Sequence, residues 1–175
     1  MLRIKEEVDP YLEMATIHLL VHAQKGPAIL FEKVKGSKFR AVSNLYGTLE
    51  RSEYIFRHTL PQVQQLIQMK MDPLYALKHP LQALKVLPAA INALPKKNPI
   101  KQPVLFEEIE IANVPLIQHW PMDGGAFVTL PQVYTEDIDT PGIGKSNLGM
   151  YRIQLNGNDY ITNKEIGLHY QLHRG

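Results

Sequence analysis

Residues 150–173 read MYRIQLNGNDYITNKEIGLHYQLH, and their pattern decides the second half of the fold. From 150 to 155 the side chains alternate at the two-residue period of a strand. Tyr151, Ile153 and Leu155 point one way, Arg152 and Gln154 the other. Asn156-Gly157 follows, and because both residues tolerate positive φ the pair predicts a hairpin. Residues 160–162 would begin the return. Residues 166–173 alternate again, with Ile166, Leu168, Tyr170 and Leu172 on one face and Gly167, His169, Gln171 and His173 on the other. One sheet face would then carry Arg152, Gln154, His169, Gln171 and His173. Adjoining strands that place so many polar groups on one face predict a lined cavity rather than a bare solvated surface.

Working outward, residues 126–130 read as a strand after a turn at Gly124-Gly125, and residues 104–111 read as another. That makes four or five strands with no closing strand or helix to cover the edge. The expectation is a sheet that continues beyond these residues. Residues 95–103, PKKNPIKQP, place three prolines and three lysines in nine positions, which opposes both helix and sheet. A domain boundary is expected there, dividing the chain into 1–98 and 99–175.

Before that boundary the pattern mixes helix and strand. A helix is predicted to open at Asp9-Pro10, with Asp as cap and Pro in the first turn. Leu12, Ala15, Leu19 and His22 would share a face, and Gly26 would stop the helix. Residues 27–34, PAILFEKV, read as a short buried strand. Lys35-Gly36-Ser37 reads as a turn and residues 39–42 as a returning strand. Residues 49–69 have helical composition broken near Pro61, and Asp72-Pro73 can start a further helix. Leu74, Leu77, Leu81 and Leu84 fall at helical spacing and read as core.

Composition bounds the rest. Hydrophobic residues are 45% and charged residues 21% of the 175, which is ordinary for a soluble globular chain able to build a core. The formal net charge of +2 is too small to argue for nucleic acid or a membrane surface. The absence of cysteine excludes disulfides, thiolate metal sites and a cysteine nucleophile, and fits a cytoplasmic location. Residues 1–9 carry no apolar run, so no signal peptide is expected. The longest apolar stretches fall short of the ~20 residues that a membrane helix needs.

Several residues could carry chemistry. Asn147 offers a neutral carbonyl oxygen of the kind hard divalent cations accept. Gly149 permits a close backbone approach, and Arg152 offers a planar fork for a phosphate or carboxylate. Taken alone, a loop with Asn and Gly is more often a turn. His169 and His173 are four apart, which on a strand separates them by about 13 Å at ~3.3 Å per residue, too far to share an ion. His18, His22, His58 and His79 lie in helical patterns and read as structural, and Trp120 reads as a packing anchor. Gly124-Gly125 lacks the strand–GxGxxG–helix context of a dinucleotide site, and neither a P-loop nor a serine nucleophile elbow is present.

Four ordered segments resemble the UbiD-type decarboxylases. Residues 26–32 (GPAILFE) followed by 44–51 (NLYGTLER) resemble the family's N-terminal domain. Pro115-Leu116-Ile117 with Trp120, Pro121, Asp123, Gly124 and Gly125 resembles the approach to its central barrel. Residues 146–152 (SNLGMYR) and His173-Arg174-Gly175 resemble its cofactor and metal segments. The resemblance implies an α/β (α+β) N-terminal domain followed by the incomplete start of a split β-barrel flavin-binding domain. It implies prenylated FMN as cofactor, Mn²⁺ as its metal with K⁺ as a further ion, and a separate flavin prenyltransferase as supplier. The implied reaction is reversible, non-oxidative decarboxylation of an aromatic or α,β-unsaturated carboxylic acid, of the 3-polyprenyl-4-hydroxybenzoate type found in ubiquinone synthesis.

Carried over one at a time, Asn147 and His173 match metal ligands and Arg152 matches the catalytic arginine. Met150, Tyr151, Arg152, His169, Tyr170, Gln171, Leu172, Arg174 and Gly175 match cofactor-contact segments. The register of 169–171 is loosened because the connection from Arg152 to His173 is longer than the family's. The third metal ligand, the catalytic glutamates and a C-terminal oligomerisation domain would lie beyond Gly175. On this reading the chain is an N-terminal fragment, inactive alone. It would belong to a homo-oligomeric cytoplasmic enzyme, with peripheral membrane association within the expectation and no nucleic-acid partner. The rival readings are a complete non-catalytic flavin- or phosphate-binding module of split-barrel type and an FMN-dependent oxidoreductase.

Overall fold

The computed structural model describes residues 1–72, 74, 78–92 and 107–170. Leu77, Gln171, Leu172, His173, Arg174, Gly175, the boundary segment 95–103 and residues 104–106 lie outside the described residues. The chain divides into two compact units, one of Met1–Gly47 with Pro103–Gly175, the other of Thr48–Gln102. No helix among the described residues is long and apolar enough to cross a membrane.

The first unit opens with a three-stranded sheet ordered β1-β2-β3. Its central strand β2 (Ile29–Val34) is the predicted buried strand, and Ile29 and Phe31 are fully enclosed. Burying a Phe of this size contributes about 2–3 kcal/mol. β3 (Ala41–Ser43) returns antiparallel, pairing Phe31 with Ala41. β1 (Leu2–Val8) runs parallel to β2, pairing Leu2 with Ile29 and Val8 with Val34. This strand was not foreseen. Its sequence LRIKEEV is dominated by charge because it is an edge strand with only Val8 buried, and charged side chains protect such an edge from further pairing.

Helix α1 (Glu13–Ala23) connects β1 to β2 and starts later than Asp9-Pro10 predicts. Asp9 Oδ1 instead accepts the Tyr11 N–H at 2.8 Å, and the Glu13 carboxylate accepts the Asp9 N–H at 2.7 Å. The delay has a tertiary cause. The Pro10 carbonyl accepts the Gln118 N–H and the Leu12 N–H donates to the Gln118 carbonyl, both at 3.1 Å, so residues 10–12 are held out of the helix. The far end closes near Gly26 as expected. Lys25 takes the left-handed φ of 52° and the Gly26 N–H returns to the Val21 carbonyl at 2.8 Å. The face packed on the sheet is Met14, Ile17 and Val21 rather than Leu12, Ala15, Leu19 and His22.

The later part of this unit is built from short strands, as predicted, but their ends differ. β4 (Phe127–Val128), β7 (Arg152–Gln154) and β8 (Gly167–His169) form an antiparallel sheet ordered β4-β7-β8. β5 (Gln132–Glu136) pairs with β6 (Ser146–Met150) in a separate two-stranded ladder. The single strand expected over 150–155 therefore changes sheets at Tyr151. Gly149 makes this corner possible, because its missing side chain leaves the space that the Tyr151 ring occupies.

Asn156-Gly157 is not a two-residue hairpin. The Asn156 side chain accepts the Ala126 N–H at 2.7 Å, and the Leu155 N–H reaches the Ala126 carbonyl at 2.8 Å. The pair is thereby latched to the Gly124–Ala126 segment, and a long connection follows before β8. Residues 160–162 belong to that connection and not to a returning strand. In place of a strand at 107–111, residues 107–110 have no regular structure and a 3₁₀ turn follows at Ile111–Asn113.

The second unit is helical. α2 (Leu49–Phe56) is capped by Thr48 Oγ1, which accepts the Arg51 N–H at 3.2 Å. α3 (Leu60–Met71) begins at the expected break, with Pro61 in its first turn. α4 (Pro80–Asn92) follows, with Pro88 inside it. Leu74, Leu81 and Leu84 are 57%, 75% and 64% exposed, so their reading as core is corrected. The spacing identified an apolar stripe, but no described residue buries it.

Candidate functional site

The first unit carries an open cavity of about 1120 Å³. One wall is α1, which presents Ala15, His18, Leu19 and His22. The stripe read from sequence was real apart from Leu12, but it faces this space and not the core. A second wall comes from β2 and β3 with Ser43 and Asn44, and a third from β4 and β7 with Phe127 and Arg152. His119 and Trp120 also line it. The reading of Trp120 as a packing anchor is corrected, because it is 55% exposed; it borders the cavity, as do His18 and His22, which stack on each other. His58 and His79 are exposed residues of the second unit.

The pairing of Arg152 with His169 across β7 and β8 sets the chemical face. Directly opposed residues share a side of the sheet, and Phe127 opposes Gln154 in β4. Arg152, Gln154, Phe127 and His169 therefore converge, as the alternation predicted for three of them. Arg152 Nη2 lies 3.0 Å from Asp123 Oδ2, and its guanidinium carbon sits 3.9 Å above the Phe127 ring centre. That cation–π contact is worth about 1 kcal/mol at a partly exposed site. The His169 ring meets Phe127 edge-on at 5.2 Å, and its Nε2 is 3.0 Å from Gln154 Oε1.

Gln154 is buried and satisfied. Its Nε2 donates to the Asn156 carbonyl at 2.9 Å, and it serves as a structural node rather than a ligand-facing group. Two other polar atoms at the cavity lack partners among the described residues: Asn44 Oδ1 and His119 Nδ1. Asn44 is almost fully buried and spends its amide N–H groups on the Gly26 and Pro27 carbonyls at 3.1 and 3.0 Å. The leftover acceptor is buried within the protein, where an unpaired oxygen carries a desolvation cost.

Asn147 stands apart from this cluster. It lies on β6, exposed, and its Nδ2 donates to the Tyr151 hydroxyl at 2.6 Å. That bond fixes the amide and leaves its Oδ1 without a hydrogen bond among the described residues. Met150 and Tyr170 are exposed, and Tyr151 is turned onto Gly149. Of the expected site residues, Arg152 and His169 are brought together, while Asn147, Met150 and Tyr151 lie on the neighbouring ladder or its corner. Gln171, Leu172, His173, Arg174 and Gly175 lie outside the described residues. No group of three or more His, Cys, Asp or Glu arranged for a metal occurs among the described residues. Asp123, Phe127, His119 and Asn44 were not recognised as site residues from sequence. Only Asp123 had a visible signal, its place just before Gly124-Gly125.

Two imidazoles at the cavity, those of His119 and His18, are held toward the neutral form. Burial holds His119 below the ordinary 6.5, and the positive Arg152 lowers it further. His18, which hydrogen-bonds Ser43, is lowered by burial and then by the adjacent His22. As pH falls below 6.5, the unfolded chain takes up protons that the folded one still refuses. The unfolded state then binds more protons, so stability is present above pH 6.5 and is lost as pH falls below it. We expect melting temperature to drop from pH 7.5 to 5.5, and the drop to shrink in a His18→Gln, His119→Gln double variant. A wild-type melting temperature that does not change over that window would contradict this arrangement.

Two family models match this chain. The 3-octaprenyl-4-hydroxybenzoate carboxy-lyase N-terminal domain matches residues 1–70, and the Rift-related domain of the same carboxy-lyase matches residues 92–175. The chain belongs to the UbiD family. It is 38% identical over 173 residues to a protein of Chlamydia caviae, covering 96% of this chain and 28% of that one. It is 36% identical over 174 residues to a Chlamydia pneumoniae protein named as a 4-hydroxybenzoate decarboxylase component, with the same two coverages. The chain thus spans about 28% of the length of these curated relatives.

Among solved structures it resembles the closed form of vanillic acid decarboxylase from Sedimentibacter hydroxybenzoicus, with a TM-score of 0.65 at 21% identity. That match covers 97% of this chain and 34% of the other. An evolved dimeric form of the UbiD-class enzyme HmfF from Pelotomaculum thermopropionicum, in complex with prFMN, gives 0.64 at 21% identity with the same coverages. At this identity the likeness establishes the fold.

Proposed function

We propose that these residues form part of a prenylated-FMN-dependent decarboxylase of aromatic or α,β-unsaturated carboxylic acids. The observation that carries this reading is Arg152. It sits on a cavity wall, braced by Asp123 and Phe127, inside the segment matched by the Rift-related family model. A guanidinium so placed binds a carboxylate through two parallel N–H bonds. The largely apolar lining leaves the guanidinium as the main charged group on that wall.

The fold reading carries further. We take residues 1–98 as the α/β domain and 99–175 as the beginning of a split β-barrel, and the two family-model ranges support that order. The donors proposed for a metal are an amide oxygen and an imidazole, which would hold a divalent ion whose charge would help retain a flavin phosphate. Asn147 Oδ1 accepts no hydrogen bond among the described residues and is oriented by the bond from its own amide to Tyr151, and His173 is the second ligand by resemblance. Mn²⁺ is the ion proposed, with K⁺ as a further one. The modified flavin, when bound, supplies an electron sink for the pair left as CO₂ departs. Arg152 orients the carboxylate, Met150, Tyr151, His169 and Tyr170 are proposed to border the cofactor, and the proton donors are proposed to lie outside these residues. Flavin prenyltransferase as supplier, a homo-oligomer, a cytoplasmic location and a place in ubiquinone synthesis belong to the same proposal.

The test is to load the protein carrying these residues with prenylated FMN and Mn²⁺. It is then assayed for CO₂ release and for substrate H/D exchange on 4-hydroxybenzoate, vanillate and an α,β-unsaturated acid. Flavin that binds and undergoes only redox turnover, with none of the three acids consumed, would favour the oxidoreductase reading. Asn147→Ala and His173→Ala are each expected to weaken Mn²⁺ and flavin retention together by ~10-fold or more. Elemental analysis beside the absorbance spectrum measures both. Loss of flavin with metal fully retained would remove the proposed dependence of flavin retention on the metal.

A further inference from the structure

Arg152 is braced from two directions, by the Asp123 carboxylate and the Phe127 ring. The Asp123 carboxylate is only 11% exposed, against 40% for the Arg152 side chain it meets at 3.0 Å. Asp123 itself is pinned. Its N–H donates to the Trp120 carbonyl at 3.1 Å, and its own carbonyl accepts Gln118 Nε2 at 3.0 Å. The two glycines that follow lie against Asn158 and Asn156 so closely that neither site admits a side chain without displacement. The carboxylate is thus presented from a turn that cannot easily move.

Phe127 supports the guanidinium from its face at 3.9 Å and is itself buried. Stacking alone fixes the height of a guanidinium but not its rotation within its own plane. The bond from Nη2 to Asp123 Oδ2 removes that freedom. Arginine has five N–H donors, and among the described residues Arg152 makes this single hydrogen bond. One edge is therefore engaged and the other remains open on the cavity wall.

We propose that Asp123 is a positioning residue: it sets the plane and rotation of the Arg152 guanidinium so that its free edge is presented to a carboxylate in the cavity. The proposal rests on the carboxylate-binding reading of Arg152 and adds to it the residue that aims the group. Asp123 acts only through Arg152.

The experiment compares Asp123→Asn, Asp123→Glu and wild type in two readouts. The first is the ¹⁵N NMR spectrum of the Arg152 guanidinium, recorded without flavin or substrate. Restricted rotation is expected in wild type, rapid averaging in Asp123→Asn, and recovered restriction in Asp123→Glu. The second is steady-state kinetics on the loaded protein. Asp123→Asn is expected to lower kcat by about tenfold or more while KM shifts by less than about threefold, with part of kcat restored in Asp123→Glu. Unchanged guanidinium rotation in Asp123→Asn overturns the proposal, as does an unchanged kcat in that variant. Should Asp123→Asn fail to fold, Asp123→Glu decides alone: restricted rotation with kcat above a tenth of wild type supports the proposal, and averaged rotation with full kcat overturns it. A normal turnover in Arg152→Lys would instead sink the functional reading while leaving the NMR result on the pair intact.

Discussion

Arg152→Lys is expected to lose decarboxylation by at least ~10²-fold while flavin stays bound, the scale typical of losing a positioned partner. The reason lies in geometry rather than charge. Arginine here uses one edge on Asp123 and its face on Phe127, which leaves a second edge for the proposed substrate carboxylate. Lysine carries the same charge as a single point without a planar fork, so it can satisfy Asp123 or the substrate but not both. Activity measured beside cofactor occupancy from the absorbance spectrum separates the outcomes. Near-normal turnover would remove Arg152 from catalysis. Loss of flavin along with activity would reassign it to cofactor binding.

Gly157→Ala is expected to destabilise the fold by about 3 kcal/mol or more, combining a left-handed backbone with overpacking. Gly157 has a φ of 83°, and a Cβ there would lie well inside contact distance of the Gly124 carbonyl oxygen. That oxygen belongs to a backbone held by the latch between Ala126 and Asn156, so it cannot swing aside. Gly36 provides the comparison. It has a similar φ of 78° but nothing within 4 Å of its Cβ position, so Gly36→Ala should cost only ~1 kcal/mol. Urea denaturation of the two variants separates backbone strain from collision. Equal losses would mean that the latch yields, and with it the account of why Gly124, Gly125 and Asn156 stand where they do.

The latch also illustrates where sequence reasoning stopped. Asn156-Gly157 is a hairpin pattern by local chemistry, and locally nothing opposes that reading. What overrode it was a partner about thirty positions away, the Ala126 N–H, which takes the Asn156 side chain. The late start of α1 has the same origin, since Gln118 binds the backbone at Pro10 and Leu12 before the helix can include them. The edge strand β1 was missed for a different reason. Half-exposed strands need little apolar patterning, and a run of charges hid one that parallel pairing to β2 stabilises.

The sequence by itself determined the buried β2 strand, the helical break at Pro61 and the placing of Arg152, Gln154 and His169 on one sheet face. These follow from periods of two and 3.6 residues and from proline's missing donor, which are properties of neighbouring residues along the chain. The ordered motifs also pointed to the family that the two family models match. Tertiary structure alone decided that strand 150–155 turns a corner at Tyr151, and that His18, His119 and Asn44 meet Arg152 around one cavity. It alone decided that Asp123, twenty-nine positions from Arg152, is the residue that holds it. Such pairings join residues far apart in sequence, and no local preference of the chain encodes which distant group will arrive.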